Sequence, residues 1–458
     1  MGLGIGEFLR WSGAAMLLVL AAFPARAEIL TLKEALGIAY QTNPQLAGEQ
    51  AQLRATDENV AQANAGWRPT VNASGTFGIT TSHTVPPPFL QDIDTLTHSQ
   101  TAGVTVSQPL FRGGRTFAEV GRAKAQVRQE RARLIAVEQS VLLNAVNAYM
   151  NVVRDSATYQ LQVSNVAALQ KQLDAARTEF KFGEVTKTDV AQAEARLAGA
   201  QASLLTAQGQ LYASRAAFTQ IIGRRPELLQ EYPPFPDLPA TQNDAMFAAL
   251  KLNPNILAAH ENEQAAKFAV DDAEGALAPQ VSLQGQYQYS KTKANKNDMN
   301  AHAATIVGQV TVPIYQGGAE WALIKQQKEL HGQSQMQIFD AERQVRQAVE
   351  TAWQAYQAAQ AAIRANLAQV KADQLAYEGV QKERKAGTRT VLDVLNAEQE
   401  LLNAEVAVVV SRHDAYVAAH QVLAAAGLLT AKALGLKVKL YDPTEHYNDA
   451  NDQFGFGD

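Results

Sequence analysis

Two short stretches gather the groups of this chain that could do chemistry. Arg384, Arg389, Asp393 and Asn396 surround Gly387 in a run ending Ala386-Gly-Thr-Arg-Thr-Val-Leu-Asp-Val-Leu-Asn396. Gly183, Thr188 and Asp189 form the second stretch, with Gly183 and Asp189 each 204 positions before Gly387 and Asp393. Neither stretch sets a nucleophile beside a base. What arginine and carboxylate at turn spacing can do is pair through charge-assisted hydrogen bonds. Two plainer roles stay open, since an aspartate in a first turn often caps its helix and an exposed Arg–Asp pair is worth little.

The elements that must position these groups are long helices, with Gly183 and Gly387 as the tips of two helical hairpins. From Gly318 to Lys385 roughly 68 residues contain no proline, and Val349, Tyr356, Ile363 and Val370 recur at every seventh position. Leu395, Leu402, Val409 and Tyr416 repeat that interval beyond the turn. A seven-residue period makes packed helices supercoil left-handedly. At 1.5 Å per residue such a helix is roughly 100 Å long, more than a compact domain needs.

Composition excludes several function classes. The chain has 458 residues, no cysteine, 19% charged residues and a net charge of −5. There is accordingly no disulfide framework, thiolate metal site or thiol to carry a lipid. His413 and His420 stand seven apart without carboxylate support and are expected to face solvent, so no metal, cofactor or catalytic constellation is assigned and the chain does not read as an enzyme. Arg10, the apolar run Trp11 to Phe23 and Ala25-Arg26-Ala27 read as an export signal over residues 1–27. No later stretch has the ~20 apolar residues of a membrane helix, so any crossing must be made by strands.

The chain reads as two copies of one unit. Asn43-Pro44 returns as Asn253-Pro254, displaced by 210 positions, and Gln108-Pro-Leu-Phe-Arg-Gly-Gly114 returns as Val312-Pro-Ile-Tyr-Gln-Gly-Gly318, displaced by 204. The first copy is expected at 28–224 with a β-hairpin at 70–109, and the second at 245–435 with a β-hairpin at 280–313. A proline-rich linker at 225–244 joins them, and an acidic tail at 436–458 reads as disordered. Each copy has a short helix leading into its strands, a long helix, and a returning helix beyond the tip.

Within the hairpins the period changes from seven to two. In Gln280 to Tyr289, Val281, Leu283, Tyr287 and Tyr289 share one face, and Ser282 with three glutamines the other. Val71 to Thr80 alternates likewise, and returning strands are read at Thr101 to Ser107 and Thr305 to Val312. Strands of about ten residues with this dyad pattern suit an outer-membrane barrel. A small soluble sheet packed on the rods is the alternative for these hairpins. The intervening loops, Val85 to Phe89 and Lys291 to Asn297, suit a cell exterior. Four strands cannot close, so copies of the chain must pool them.

Taken together, the signal segment, the Asn-Pro and strand-exit repeats and the run Gly387-Thr-Arg-Thr-Val-Leu-Asp-Val-Leu395 resemble the TolC family of outer-membrane efflux and type I secretion channels. The resemblance implies an α+β membrane protein: a homotrimer with a 12-stranded transmembrane β-barrel continued by a periplasmic α-helical coiled-coil barrel. It implies an exit duct for drugs or secreted polypeptides, docked through the hairpin tips to a periplasmic adaptor and an inner-membrane transporter. The Asp393 position would supply a ring of three carboxylates at the entrance; the second aspartate of the family pattern is Asn396 here. Arg389 would tie hairpins through Thr188 and Asp189, while the family's lock tyrosine is replaced by Arg384, expected to converge on Asp189. A soluble periplasmic coiled-coil adaptor or scaffold is the alternative; it would share the hairpins but lack paired alternating strands.

Overall fold

A computed structural model describes residues 29–452 apart from 86, 90, 92, 295 and 296; the expected signal at 1–27 lies outside the described residues. The chain runs α1 (Leu32–Thr42), α2 (Pro44–Asn64), a 3₁₀ turn (Ala65–Trp67), β1 (Thr70–Thr84), β2 (Ile93–Arg112), α3 (Arg115–Lys181) and α4 (Lys187–Ile222). It continues with α5 (Gln242–Leu252), α6 (Pro254–Gly275), β3 (Gln280–Ala294), β4 (Asn297–Thr311), α7 (Ala319–Lys385), α8 (Val391–Ala425) and α9 (Glu445–Asp452).

Local chemistry sets most of these boundaries. Asn43 and Asn253 cap α2 and α6 with proline at the first helical position, where a missing N–H costs nothing. The same two side chains reach the far ends of the returning helices, donating to the carbonyls of Ile221 (3.2 Å) and Ala425 (3.0 Å). Gly114 and Gly318 stand at φ +84° and +86° before α3 and α7, a region that favours glycine. Each of these helices has 67 residues, about 100 Å of rod. The seventh-position stripe faces inward: Val349, Leu395, Leu402 and Tyr416 are buried.

The strands form one antiparallel sheet in the order β1-β2-β3-β4, so β1 and β4 are its edges. They are longer than the ten residues expected, at 15, 20, 15 and 15. The return strands start nearer the loops than expected, and of the expected loop at Lys291 to Asn297, 291–294 belong to β3 and Asn297 to β4. Polar Thr, Ser, Asn and Lys there obscure the alternation, while cross-strand pairing carries the ladder through them. Register aligns Val71, Val106, Gly285 and Ile306 in one row, and Ala73, Val104, Tyr287 and Ala304 in the next. The opposite face carries Thr76, Thr101, Ser290 and Ala301 in one row and Ser74, Gly103, Gln288 and Ala303 beside it.

The largest cluster of buried side chains among the described residues brings α1, α3, α4 and α8 together around Tyr149, Phe218, Leu36 and Ile222. The Tyr149 hydroxyl lies between the carbonyls of Leu30 (2.8 Å) and Gln230 (3.1 Å) and accepts the Gln230 N–H (2.9 Å). Burial pushes this phenol up to about 12. The linker is tied to that core: Leu30 pairs with Leu229, Phe235 stacks on Tyr416 at 4.2 Å, and the Tyr416 hydroxyl donates to the Pro233 carbonyl.

Three expectations are corrected by the structure. The stretch 225–244 is not wholly linker, because α5 begins at Gln242 behind the Thr241–Asp244 capping box. The tail is ordered through residue 452. Leu436 enters the core, the Tyr441 N–H donates to the Tyr40 hydroxyl (3.2 Å), and α9 lies on α2, with Tyr447 under the Arg131 guanidinium (5.0 Å). Acidic composition argues for disorder, but the tail's aromatic and apolar groups find partners on the body. The remainder of the tail, 453–458, lies outside the described residues. Third, His413 and His420 do not face solvent. His413 bridges Asn151 (2.9 Å) and Asp414 (2.9 Å), and His420 is buried with Nδ1 on the Tyr416 carbonyl (2.8 Å).

Candidate functional site: the hairpin tips

Both tips are built by the same local chemistry. Gly183 and Gly387 hold φ +76° and +79°. Their N–H groups reach back to Phe180 (3.0 Å) and Arg384 (2.8 Å), and the next N–H groups to the carbonyls of Glu179 (3.0 Å) and Glu383 (3.0 Å). This left-handed closure satisfies carbonyls that the end of a helix leaves open. The returning helices then start in capping boxes. Asp189 accepts from the Thr186 N–H (2.8 Å) and hydroxyl (2.7 Å), and Asp393 from the Thr390 N–H (2.9 Å) and hydroxyl (2.8 Å). These bonds to Thr186 and Thr390 hold both carboxyls below the ordinary aspartate range, with a smaller contribution from a nearby arginine in each case. Both stay charged well into acid.

The arginines go elsewhere than expected. Arg384 donates to Glu179 on α3 (2.6 Å), and Arg389 to Glu383 one turn back on its own hairpin (2.9 Å). Neither takes Asp189, whose accepting oxygen is engaged by its own cap. Arg384, Arg389, Asp189 and Glu179 nevertheless border one cleft of about 740 Å³ between the tips. Thr188 is exposed in the first turn of α4. Asn396 accepts from Arg196 on α4 (2.8 Å).

Near the tips, side-chain links therefore cross from one hairpin to the other from Arg384 to Glu179, from Arg196 to Asn396, and from Gln172 to Glu398 (3.2 Å). Beneath them Val391 and Leu395 of the second hairpin pack with Leu169, Leu173, Ala193 and Leu197 of the first. Glu398 is buried, and desolvation raises its carboxyl above the ordinary glutamate range against the opposing Gln172 hydrogen bond. Sequence reasoning misses Glu179, Glu383, Arg196, Gln172 and Glu398. One signal for them exists: Glu179 lies 204 positions before Glu383, and each receives an arginine.

This arrangement offers charge, reversible pairing and a narrow apolar contact. Among the described residues no group of three or more His, Cys, Asp or Glu could hold a metal ion. No described helix is long and apolar enough to cross a membrane, a statement that leaves strands aside.

The family profile described as outer membrane efflux protein matches residues 35–224 and 247–428. The chain is 37% identical over 424 residues to the outer membrane efflux protein BepC of Brucella suis biovar 1, covering 93% of this chain and 91% of that one. It is 26% identical over 427 residues to the outer membrane protein TolC of Vibrio cholerae, covering 89% and 94%. The crystal structure of the Campylobacter jejuni CmeC outer membrane channel superposes with a TM-score of 0.75 at 17% identity, over 98% of each chain.

Proposed function

The chain belongs to the outer membrane efflux protein family, and from that premise we propose that three copies assemble into one conduit through the outer membrane and the periplasm. The protein is an outer-membrane exit duct, of an efflux pump and/or a type I secretion system, in a family of channels rather than enzymes. The observation that carries the trimer is the sheet: one face apolar, one polar, and both edges open. Open edges do not survive in lipid. Two copies would give about eight strands, a barrel filled by its own side chains; three give twelve and leave a lumen.

The apolar face would meet lipid, bounded by aromatic side chains at both ends. Trp67, Phe111, Phe117, Tyr315 and Trp321 are exposed where strands pass into helices, and Tyr287 and Tyr289 lie toward the hairpin ends. The polar face would line the lumen with Thr, Ser and Gln. The rods of α3 and α7, paired with α4 and α8, continue that lumen into the periplasm in this reading, and the two α-β-β-α-α series in each chain are its two repeats. The tips at Gly183 and Gly387 would dock a periplasmic adaptor serving an inner-membrane transporter.

At the entrance, three copies of Asp393 would form a carboxylate ring with Asn396 one turn on. The Thr390 hydrogen bonds keep Asp393 ionised and oriented, so capping and ring are compatible roles. The lock of the closed state is read on Arg384 and Glu179, with Arg389 and Asp189 holding the shape of their own tips.

Planar-bilayer recording of the purified protein tests this reading. The sample should migrate as a heat-modifiable trimer before boiling, and only that form should conduct. Multivalent cations should block it, and Asp393→Asn should weaken the block. A conducting monomer would overturn the assembly, and unchanged block in Asp393→Asn would move the ring elsewhere.

A further inference from the structure

The apolar face of the sheet changes chemistry abruptly near its hairpin ends. Beyond the row containing Tyr289 and His302, the next two rows place Lys291 beside Gln100 and Asn300, and Lys293 beside His98 and Asp298. These are the two lysines among the described strand residues, and both stand at odd positions of β3, on the face of Tyr287 and Tyr289. On β1 the same rows carry Phe77 and Ile79, so the cationic patch is confined to β2, β3 and β4. Asp298 offsets one charge of the pair; Lys291 faces only amides.

Height fixes what this patch would meet. From Val281 to Lys291 the strand advances ten residues, about 33 Å, or roughly 25 Å of height at a barrel tilt of about 40°. That is the height of the apolar band of an outer-membrane barrel. Lys291 and Lys293 thus stand at and just above the head-group level, where long stems lie along the apolar wall and the ammonium groups reach outward. Tyr287 supports the lower edge: its hydroxyl lies 3.0 Å from Nδ1 of His302, whose ring stands 5.0 Å from that of Tyr289. Clustered cations immediately beside an apolar wall select anionic head groups.

We propose that Lys291 and Lys293, flanked by His98, Asn300 and His302, form an outward-facing site for the phosphate groups of the outer-leaflet glycolipid. The site rests on the reading of the sheet as barrel wall with its hairpin ends outside. Each trimer would carry three such sites. Their consequence is a collar of bound lipid that fixes the height of the barrel in the membrane.

Native mass spectrometry of the detergent-purified trimer tests the site, with bisphosphorylated lipid A, its dephosphorylated form, phosphatidylglycerol and inorganic phosphate as probes. Wild-type trimer should retain bisphosphorylated lipid A in preference to the other three. The double variant Lys291→Gln/Lys293→Gln should bind it roughly tenfold to thirtyfold more weakly. Heat-modifiable migration and single-channel conductance of that variant should be unchanged. Equal retention by the double variant, or equal retention of dephosphorylated lipid A, would overturn the site while leaving the duct intact. Retention of inorganic phosphate alone would show an anion site without lipid recognition and overturn it equally. A wild-type protein that neither assembles nor conducts would instead sink the barrel reading on which the site depends.

Discussion

The two hairpin tips have the same backbone and different surroundings. Gly183 and Gly387, Thr186 and Thr390, and Asp189 and Asp393 make the same turn and the same cap 204 positions apart. Yet the first helical turns of α4 lie largely open, whereas Val391, Val394 and Leu395 at the start of α8 are buried. The second hairpin leans on the first, with Arg384 and Glu398 reaching across to Glu179 and Gln172. A turn is thus specified locally, but which tip acts as the moving part is decided by what it rests against. In the duct proposed above, the second tip, docked through a small apolar cluster and a few polar links, would be the one whose release widens the entrance.

The sharpest test of this difference compares positions that the 204-residue displacement equates. Buried Leu395 answers to exposed Ala191 in the first hairpin. Leu395→Ala, which gives the second tip the residue of the first, should cost about 2–5 kcal/mol, the usual range for a fully buried leucine. Ala191→Gln, at a surface with room for a longer polar side chain, should stay within about 0.5 kcal/mol. Thermal unfolding followed by circular dichroism would measure both. Equal costs would mean that the second tip is not docked as described.

The glycines should show the opposite, an equality. Gly183→Ala and Gly387→Ala each force a side chain into the left-handed region, with nothing within 4 Å of the added carbon at either site. Each should cost about 1–2 kcal/mol through backbone strain alone. A much larger loss at Gly387 would reveal a packing constraint there.

Glu398 and Glu194 stand at matching positions, the first buried on Gln172 and the second paired openly with Arg177 at 2.7 Å. Because the folded pKa of Glu398 is raised, its contribution is fully present below the ordinary glutamate value and is lost as pH rises through the raised one. Glu398→Gln should therefore stabilise the protein at neutral pH but not at a pH below the ordinary glutamate range. Melting curves at the two pH values would show this.

The smallest stability effect belongs to the cross-hairpin ion pair. A double-mutant cycle on Arg384→Ala and Glu179→Ala should give a coupling of about 0.5–1 kcal/mol, since the pair is only partly shielded. Resting conductance should nevertheless rise in both single variants. Coupling of Arg384 to Asp189 instead of Glu179 would restore the pairing expected for this chain where it departs from the family pattern.

Much of the scaffold is legible because its signals are short-range. Proline-free stretches with a seven-residue period mark α7 and α8, and the 204-residue repeat carries the long helix back to α3; Asn-Pro marks two helix starts; alternation marks the sheet and its apolar face. Thr31 with Glu34, and Thr241 with Asp244, carry capping signals of the same kind for α1 and α5, which length and apolar runs do not make conspicuous. Strand lengths come out short from sequence because Lys, Thr and His near the hairpin ends blur alternation. The ordered tail escapes a reading by composition because charge content says nothing about Arg131 and Tyr40 waiting on the body.

At the tips the division is clearest. The sequence alone determined the two left-handed turns, the threonine–aspartate caps and the rods that carry them, because each depends on atoms only a few positions apart along the chain. Only the tertiary structure decided that Arg384 meets Glu179, that Arg196 meets Asn396 and that Glu398 is buried on Gln172. Those partners lie about 200 or more positions apart. Their meeting depends on the axial register and rotation of 100 Å rods packed side by side, which a shift of one helical turn would change without altering any local signal.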